Sequence, residues 1–256
     1  MTVLSTHLRV VFAFVVREIA TRYGKSPGGY LWAFLEPIAF IAVMSVILGS
    51  IGRIPALGES FPLFYATGFL AYSLYKSVES YVSSSISANR SLLSYPRVAP
   101  IDAVVSRFVL QGTTSILVAS LILGVILYTL RHPIHIDWIY IFAAVFLAWS
   151  LGVGVGMTNC VLFFYYPLYE KAYGVIMKPL FLLSGVFYVP ESIPHPYRDY
   201  ILYNPLAHII MLFRWAFYGD RGARGVDLMY VATISFTMLF IGMLMFTLFP
   251  ISRQRS

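Results

Sequence analysis

The apolar run from Tyr30 to Ile51 holds a carboxylate followed by a proline, Glu36-Pro37, and cannot cross a bilayer without them. Counted from Ile38, only 14 residues remain before Gly52. They make about 21 Å of helix at 1.5 Å per residue, against a hydrocarbon core of roughly 30 Å. The span must therefore begin near Tyr30, where Tyr30-Leu31-Trp32 supplies rings that suit the headgroup layer. Glu36 then lies within the membrane, where an acid is costly unless it faces protein or water. Upstream, Arg17, Glu18, Thr21, Arg22 and Lys25 form a basic, polar stretch fit for the membrane surface.

Composition agrees with a membrane-embedded chain. Hydrophobic residues make up 59% of the sequence and charged ones 11%, with a mean hydropathy of +0.78. A soluble domain of 256 residues needs far less apolar surface, so the expected fold is an all-α polytopic membrane protein. The lone cysteine, Cys160, sits in an apolar run and excludes disulfides and thiolate metal sites. The net charge of +7 is scattered through loops and forms no stripe, which argues against nucleic-acid binding.

Six spans are expected: Tyr30 to Ile51, Phe61 to about Val82, about Ser106 to Leu130, Trp138 to about Tyr165, about Tyr173 to Tyr188, and about Leu228 to Phe249. Ahead of them, Arg9 and Arg17 bracket too short an apolar stretch for a signal peptide. Leu4, Leu8, Val11, Phe12, Val15 and Ile19 recur at helical spacing, so residues 1–29 read as an amphipathic helix at the cytoplasmic membrane surface or against a partner. Residues 30–256 form the six-span domain. With the N-terminus inside, inner segments hold ten Arg and Lys and outer segments six, four of which share one long loop. The positive-inside rule then places both termini in the cytoplasm.

Several spans carry residues a lipid-facing helix avoids. The second contains Lys76 and Glu79, and its Tyr65, Tyr72 and Glu79 fall seven apart, with Gly68 and Tyr75 on the same face. Such a stripe reads as the border of a wet path, or else as a packing seam with a Lys76–Glu79 pair. The fifth contains Lys178-Pro179, which reads equally as a pore wall or as an ion pair with Glu36 or Glu79. In the fourth, Gly152 and Gly156 have the spacing that lets helices approach closely. The sixth is uncharged and suits lipid.

Two connections stand out. Asn89 to Asp102, short, basic and broken by Pro96 and Pro100, is an ordinary structured loop on composition alone, with a docking role as the alternative. In residues 190–225, Pro190, Pro194 and Pro196 interrupt the helix, and Asn204-Pro205 then opens a new one, Leu206 to Tyr218, stopped by Gly219. Its 13 residues are too short to cross the bilayer, so a re-entrant or outer-surface helix is expected, with gating as its function.

Signatures of catalysis fail. Gly24-Lys25-Ser26 lacks the first glycine and the preceding strand of a phosphate-binding loop, so no nucleotide site is expected on this chain. His132, His135 and Asp137 are too few for zinc and read as solvated. His208 reads as packed, and no nucleophile–base pair presents itself.

Taken together, Arg17-Glu18-Ile19, Thr21-Arg22-Tyr23-Gly24-Lys25, Gly29-Tyr30-Leu31-Trp32-Ala33 and Glu36-Pro37 resemble the opening of the membrane subunit of capsular polysaccharide ABC exporters, within the type-2 ABC transporter permeases. Pro100-Ile101-Asp102, Lys178-Pro179-Leu180 and Asn204-Pro205-Leu206-Ala207-His208 extend the resemblance over essentially the whole chain. It implies a homodimer joined to two copies of a separate cytosolic ATP-binding cassette subunit, which would bind ATP and Mg while this chain binds no cofactor. It further implies partnership with periplasmic and outer-membrane polysaccharide export proteins in the bacterial inner membrane.

On the same resemblance, Glu36, Tyr65, Tyr72, Tyr75, Glu79 and Lys178 would line a polysaccharide channel. Arg17, Arg22, Arg90, Tyr95, Arg97 and Asp102 would couple to the ATPase, and Tyr188, Asn204 and His208 would belong to a periplasmic gate. Tyrosine suits such a channel because it offers a sugar ring an apolar face and a hydroxyl. O-antigen and teichoic-acid exporters share the architecture. An intramembrane acyl- or glycosyltransferase is the alternative from another class, and it requires a polar catalytic cluster.

Overall fold

The computed structural model describes residues 3–23, 29–52, 54–90, 92–95, 98–130, 132–222 and 224–249. The glycine–lysine–serine segment at 24–26, Arg53, Pro96, Arg97, Arg131, Arg253, Arg255 and the side chain of Arg22 lie outside them. Ten α-helices are described: α1 Val3–Tyr23, α2 Trp32–Ile51, α3 Phe61–Ser83, α4 Ser85–Ala88, α5 Pro100–Thr129, α6 Trp138–Tyr165, α7 Pro167–Leu182, α8 Tyr197–Leu202, α9 Pro205–Tyr218 and α10 Leu228–Leu248. No strand occurs among the described residues. Among the described residues, four segments are long and apolar enough to cross a membrane: Gly29–Ile51, Pro100–Thr129, Trp138–Tyr165 and Leu228–Leu248.

Short polar side chains fix where the helices start. Ser60 accepts from the Leu63 N–H ahead of α3, Asn204 from Leu206 ahead of α9, and Asp227 from Tyr230 ahead of α10. Each satisfies an amide that the helix cannot. At α5 the carboxylate of Asp102 accepts from the Ala99 N–H at 3.0 Å, and Pro100 occupies the first turn, where its missing donor costs nothing. This start lies six residues before the expected one at Ser106 and brings Asp102 into the first turn of the helix.

The core is built around α6, whose two sides are used differently. A Cβ on Gly152 would lie 3.0 Å from the Tyr75 carbonyl, and one on Gly156 would lie 2.8 Å from Val82, so these glycines seat α3. Gly154 points the other way, where a Cβ would collide with the Leu239 backbone nitrogen of α10. Gly242 of α10 is equally close to Gly154. Backbones thus approach on both sides of one helix, through small residues that leave room for dispersion contacts.

α9 is packed between α3 and α6, with α10 alongside, and Leu206 to Phe213 are buried almost throughout. By contrast α7 has no buried residue, and α2 buries only Pro37 and Ile41. α7 also occupies a different register from the expected span of Tyr173 to Tyr188. It starts at Pro167 and stops at Leu182.

The cause of that stop is Arg214 on α9. Its guanidinium is fully buried and donates to the carbonyls of Gly185, Val186 and Tyr188 at 2.7, 2.8 and 3.0 Å. It also stacks over the Phe64 ring at 4.2 Å. Gly185 adopts a φ of +78°, a conformation that ends the helix and turns these carbonyls toward the arginine. Arg214, counted by sequence among outer-loop charges, is therefore an internal tie.

Candidate functional site

α3 carries serines at 73, 77 and 80, and the row continues through Ser84 at its end and Ser87 on α4, with spacings of four, three, four and three. Each is compatible with a helix because the hydroxyl can donate back to the preceding turn. Lys76 lies within this row, and the remaining walls come from α2, α5, α6 and α7.

Two cavities open along the row. The first, about 490 Å³, is lined by Glu36, Ser73, Lys76, Ser77, Gln111 and Thr114 among its polar groups, with Ser80 and Ser115 beside them. Phe40, Phe69, Tyr72 and Phe181 also line it. Phe40 stacks on Phe69 with centroids 4.1 Å apart, and Tyr72 tilts against Phe181 at 4.7 Å. The second, about 620 Å³, is lined by Ser83, Ser84, Ser87, Arg90, Glu170 and Tyr173. Both include Lys76 and Ser80, which join them into one polar track.

Lys76 is held at the junction. Its Nζ lies 2.6 Å from Glu79 Oε2 and 5.4 Å from the centre of the Tyr173 ring. Glu79 is buried, and its other oxygen accepts from Asn159 Nδ2 at 2.9 Å. Tyr169 of α7 donates to Asn159 Oδ1 at 3.3 Å. The buried carboxylate is thus satisfied by one cation and one amide, as its desolvation requires.

Of the residues that the sequence assigned to a channel, the structure brings Glu36 and Tyr72 to the first cavity and Glu79 to the second. Tyr65 is buried in a separate cluster with Phe64 and Val189. Tyr75, buried with Tyr72 in the core, packs beneath Gly152. The Tyr65–Gly68–Tyr72–Tyr75–Glu79 face is thus a packing seam that meets the cavities only at Tyr72 and Glu79, and the Lys76–Glu79 pair is formed. Lys178 is exposed on α7, between Gly174 and Phe181, and is not among the lining residues of either cavity. Glu79 takes Lys76 as its cation rather than Lys178.

Several residues assigned to partner coupling are engaged internally. Asp102 is buried and pairs with His7 Nδ1 at 2.8 Å, besides capping its own helix. Arg17 donates to Asn89 Oδ1 at 3.2 Å. Arg107 donates to Glu18 at 2.6 Å and also to the Tyr81 carbonyl and Ser84 Oγ. These contacts fasten α1 to α4, α5 and the end of α3, leaving Leu8, Phe12 and Val16 exposed. Arg90 and Tyr95 are exposed.

The residues assigned to a gate divide similarly. Asn204 caps α9 and donates to Ser184 Oγ at 3.2 Å. His208 is buried, with Nδ1 accepting from the Asp227 N–H at 3.1 Å and Nε2 2.8 Å from the Leu202 carbonyl. Desolvation lowers its pKa, and the neutral ring with its proton on Nε2 fits both contacts. Tyr188 is half-buried beside the Arg214 tie.

Residues 9–218 match the ABC-2 type transporter family. The chain is 33% identical over 240 residues to the polysialic acid transport protein KpsM of Escherichia coli, covering 92% of each chain. It is 30% identical to the capsule polysaccharide export inner-membrane protein CtrC of Neisseria meningitidis, over 92% of this chain and 89% of the relative. With the O-antigen export system permease protein RfbA of Klebsiella pneumoniae it shares 23% identity, over 90% and 88%.

Proposed function

The chain belongs to the ABC-2 type transporter family, and we propose that it is the membrane subunit of an ATP-driven exporter of capsular polysaccharide. The polar track along α3 and α4 carries this reading. Two cavities joined at Lys76, walled by helices of membrane-spanning length, supply the water-compatible surface that a hydrophilic polymer needs and lipid does not.

The rest of the assembly follows as part of the proposal. Residues 30–256 make a six-span unit of α2, α3, α5, α6, α7 and α10, with α9 re-entrant from the periplasmic side, in the inner membrane with both termini in the cytoplasm. The weakly buried α2 and α7 favour a second copy of the chain packing along them, so that the track becomes half of a channel. Lys178 and the exposed carboxylate of Glu36 would then face that channel. Two copies of a cytosolic ATP-binding subunit would carry ATP and Mg, reached through α1 and residues 89–102, with Arg90 and Tyr95 on the docking surface. Residues 190–225 would form the outer gate, and periplasmic and outer-membrane export proteins would receive the polymer.

The test is reconstitution with the ATP-binding subunit in proteoliposomes. ATP-dependent movement of capsular glycan is expected, together with its loss in Ser77→Trp, which fills the first cavity, while the two subunits still co-purify. Undiminished transport in that variant refutes the pathway. The O-antigen class differs in the polymer it moves, so the same vesicles loaded with each glycan separate the two.

A further inference from the structure

Glu36 on α2 and Lys178 on α7 share an unusual setting. Each is exposed, each lies in a largely apolar stretch, and each is followed at once by a proline inside its helix, Pro37 and Pro179. A charge on such a helix is costly unless it meets water or an opposite charge. A proline within a helix removes one backbone hydrogen bond and bends the chain there. The acid and the base thus both stand at hinge positions.

Ring contacts fix how the two positions face each other. Phe40 of α2 stacks on Phe69 of α3 at 4.1 Å, and Phe181 of α7 lies 6.0 Å from Phe40 and 6.5 Å from Phe69, so three helices meet at one level. Further along α2, Gly49 faces Phe61 near the start of α3, and earlier on α7 the Tyr173 ring lies against Lys76. Both helices therefore run antiparallel to α3 and parallel to each other. Glu36 precedes Phe40 by four residues and Lys178 precedes Phe181 by three, spacings that keep each charge on the face carrying its phenylalanine. Both charges then lie about 4.5–6 Å from the ring level in the same direction, abreast of Tyr72 and Ser73. Among the described residues no ion pair joins them.

Their place determines what a pair would do. Glu36, Tyr72, Ser73 and Phe181 line the first cavity, and Gly174, one turn before Lys178, lines the second. We propose that Glu36 and Lys178 are the two halves of a clasp, open in this structure, that joins α2 to α7 within one chain and closes the first cavity on the side away from α3. Closing brings the two charges together where little water competes, which strengthens their attraction. Opening swings the helices apart at Pro37 and Pro179. The inference rests on the exporter reading and adds to it a means of sealing the track between passages of polymer.

The experiment uses the complex with the ATP-binding subunit, in a Cys160→Ser background so that this chain carries only introduced thiols. In nanodiscs, Ser73→Cys, behind the clasp, is labelled with a charged, water-soluble maleimide. Glu36→Lys and Lys178→Glu each set like charges face to face and are each expected to speed labelling at least about fivefold, the upper range for a partly exposed pair. The two substitutions together restore an opposite pair and are expected to return the slow rate. Both residues are exposed, so these changes leave the packed core alone. In proteoliposomes, Glu36→Cys with Lys178→Cys is treated with a short bis-methanethiosulfonate linker. The linker is expected to join the two thiols within a single chain, read on a denaturing gel, and to stop ATP-driven glycan movement until a reductant removes it. Labelling that is unchanged in the single variants, a double variant as fast as the singles, or a linker that joins two chains instead of one overturns the clasp. Each of these leaves the exporter reading standing, because glycan movement by the unlinked parent complex is measured separately. Its absence there removes the exporter reading, and the clasp with it.

Discussion

Gly68 lies directly beneath Arg214: a Cβ added to the glycine would stand 2.6 Å from the guanidinium Nη2 and 2.7 Å from the Val186 carbonyl that the same guanidinium binds. One position on α3 thus has to be bare for α9 to hold the chain that follows α7. Gly68→Ala should push the arginine off its carbonyls, an overpacking cost of about 1–3 kcal/mol. Arg214→Met should cost more, at least about 3 kcal/mol, because three buried carbonyls lose their donors together. Arg214→Lys should rescue little, since an ammonium lacks the planar fork that spans them. Thermal unfolding of the purified protein in detergent measures all three, and a Gly68→Ala variant as stable as the parent would contradict the geometry.

Gly154 and Gly124 make an opposed pair. A Cβ at Gly154 would collide with the α10 backbone, whereas one at Gly124 of α5 meets nothing within 4 Å. Gly154→Ala should therefore destabilise by forcing α6 and α10 apart. Gly124→Ala should be neutral or stabilising by up to about 1 kcal/mol, because alanine loses less backbone entropy in a helix. Melting temperatures of the two variants, measured side by side, should separate, with Gly154→Ala below the parent and Gly124→Ala at or above it.

The helices and their order were largely legible in the sequence. α2, α3, α6 and α10 coincide with the expected spans to within about a residue or two at each end, the ordinary scatter of helix termini. What failed was any feature set by a distant partner. Hydropathy carried the fifth span to Tyr188 because the one local mark of an end, Gly185, lies inside an apolar run; what holds the turn there is Arg214, more than 20 residues later. Arg214 itself looked like a loop charge, since sequence does not show that three carbonyls converge on it. The tyrosine stripe of α3 is divided between packing sites, with Tyr65 against Phe64 and Val189 and Tyr75 beneath Gly152 of α6, while the lining side is written largely in serines. Their spacing at 73, 77, 80, 84 and 87 was visible, and only its polarity, weaker than that of an acid or a tyrosine, hid it. Asp102 and Arg17 stood out as charged groups near a connection, but the sequence did not reveal that α1 folds back to use them.

That fold-back supplies a further test. Arg107 and Glu18 are paired at 2.6 Å with side chains only 7% and 15% exposed. Removing either partner strands a buried charge, so Glu18→Ala and Arg107→Ala should each cost about 3–5 kcal/mol. Their combination should cost much less than the sum, because the second substitution removes the orphan left by the first. Denaturation of the four members of this cycle measures the coupling. Strict additivity would mean that α1 is held by other contacts.

His208 gives the fold a pH dependence of definite sign. Buried on α9, which is too short to span, it has its pKa lowered by desolvation, with Asp227 and the Leu202 carbonyl opposing. An unfolded histidine titrates near about 6.5. As pH falls through that value the unfolded chain takes up a proton that the folded chain still refuses. The contribution of His208 is therefore complete above about pH 6.5 and is lost below it, down to the depressed folded value. The parent protein should lose more stability between pH 7.5 and 5.5 than His208→Gln does, as read from melting curves of both. An equal or opposite difference would mean that the ring is charged in the fold.

Lys76 and Glu79 allow the structural and the transport roles of the track to be separated. Glu79 is 1% exposed and Lys76 about a third, so Lys76→Met leaves a buried carboxylate with only Asn159 beside it. The cost should be about 3 kcal/mol, at the low end for a buried pair because water reaches the lysine. Lys76→Met combined with Glu79→Gln removes both charges, while the amide that replaces the carboxylate keeps its shape, and stability should return to within about 1 kcal/mol of the parent. Glycan export should return with it, because a lysine already neutralised by its neighbour offers the polymer no charge to hold. Export that stays lost in a fully stable double variant would show the ammonium touching the substrate.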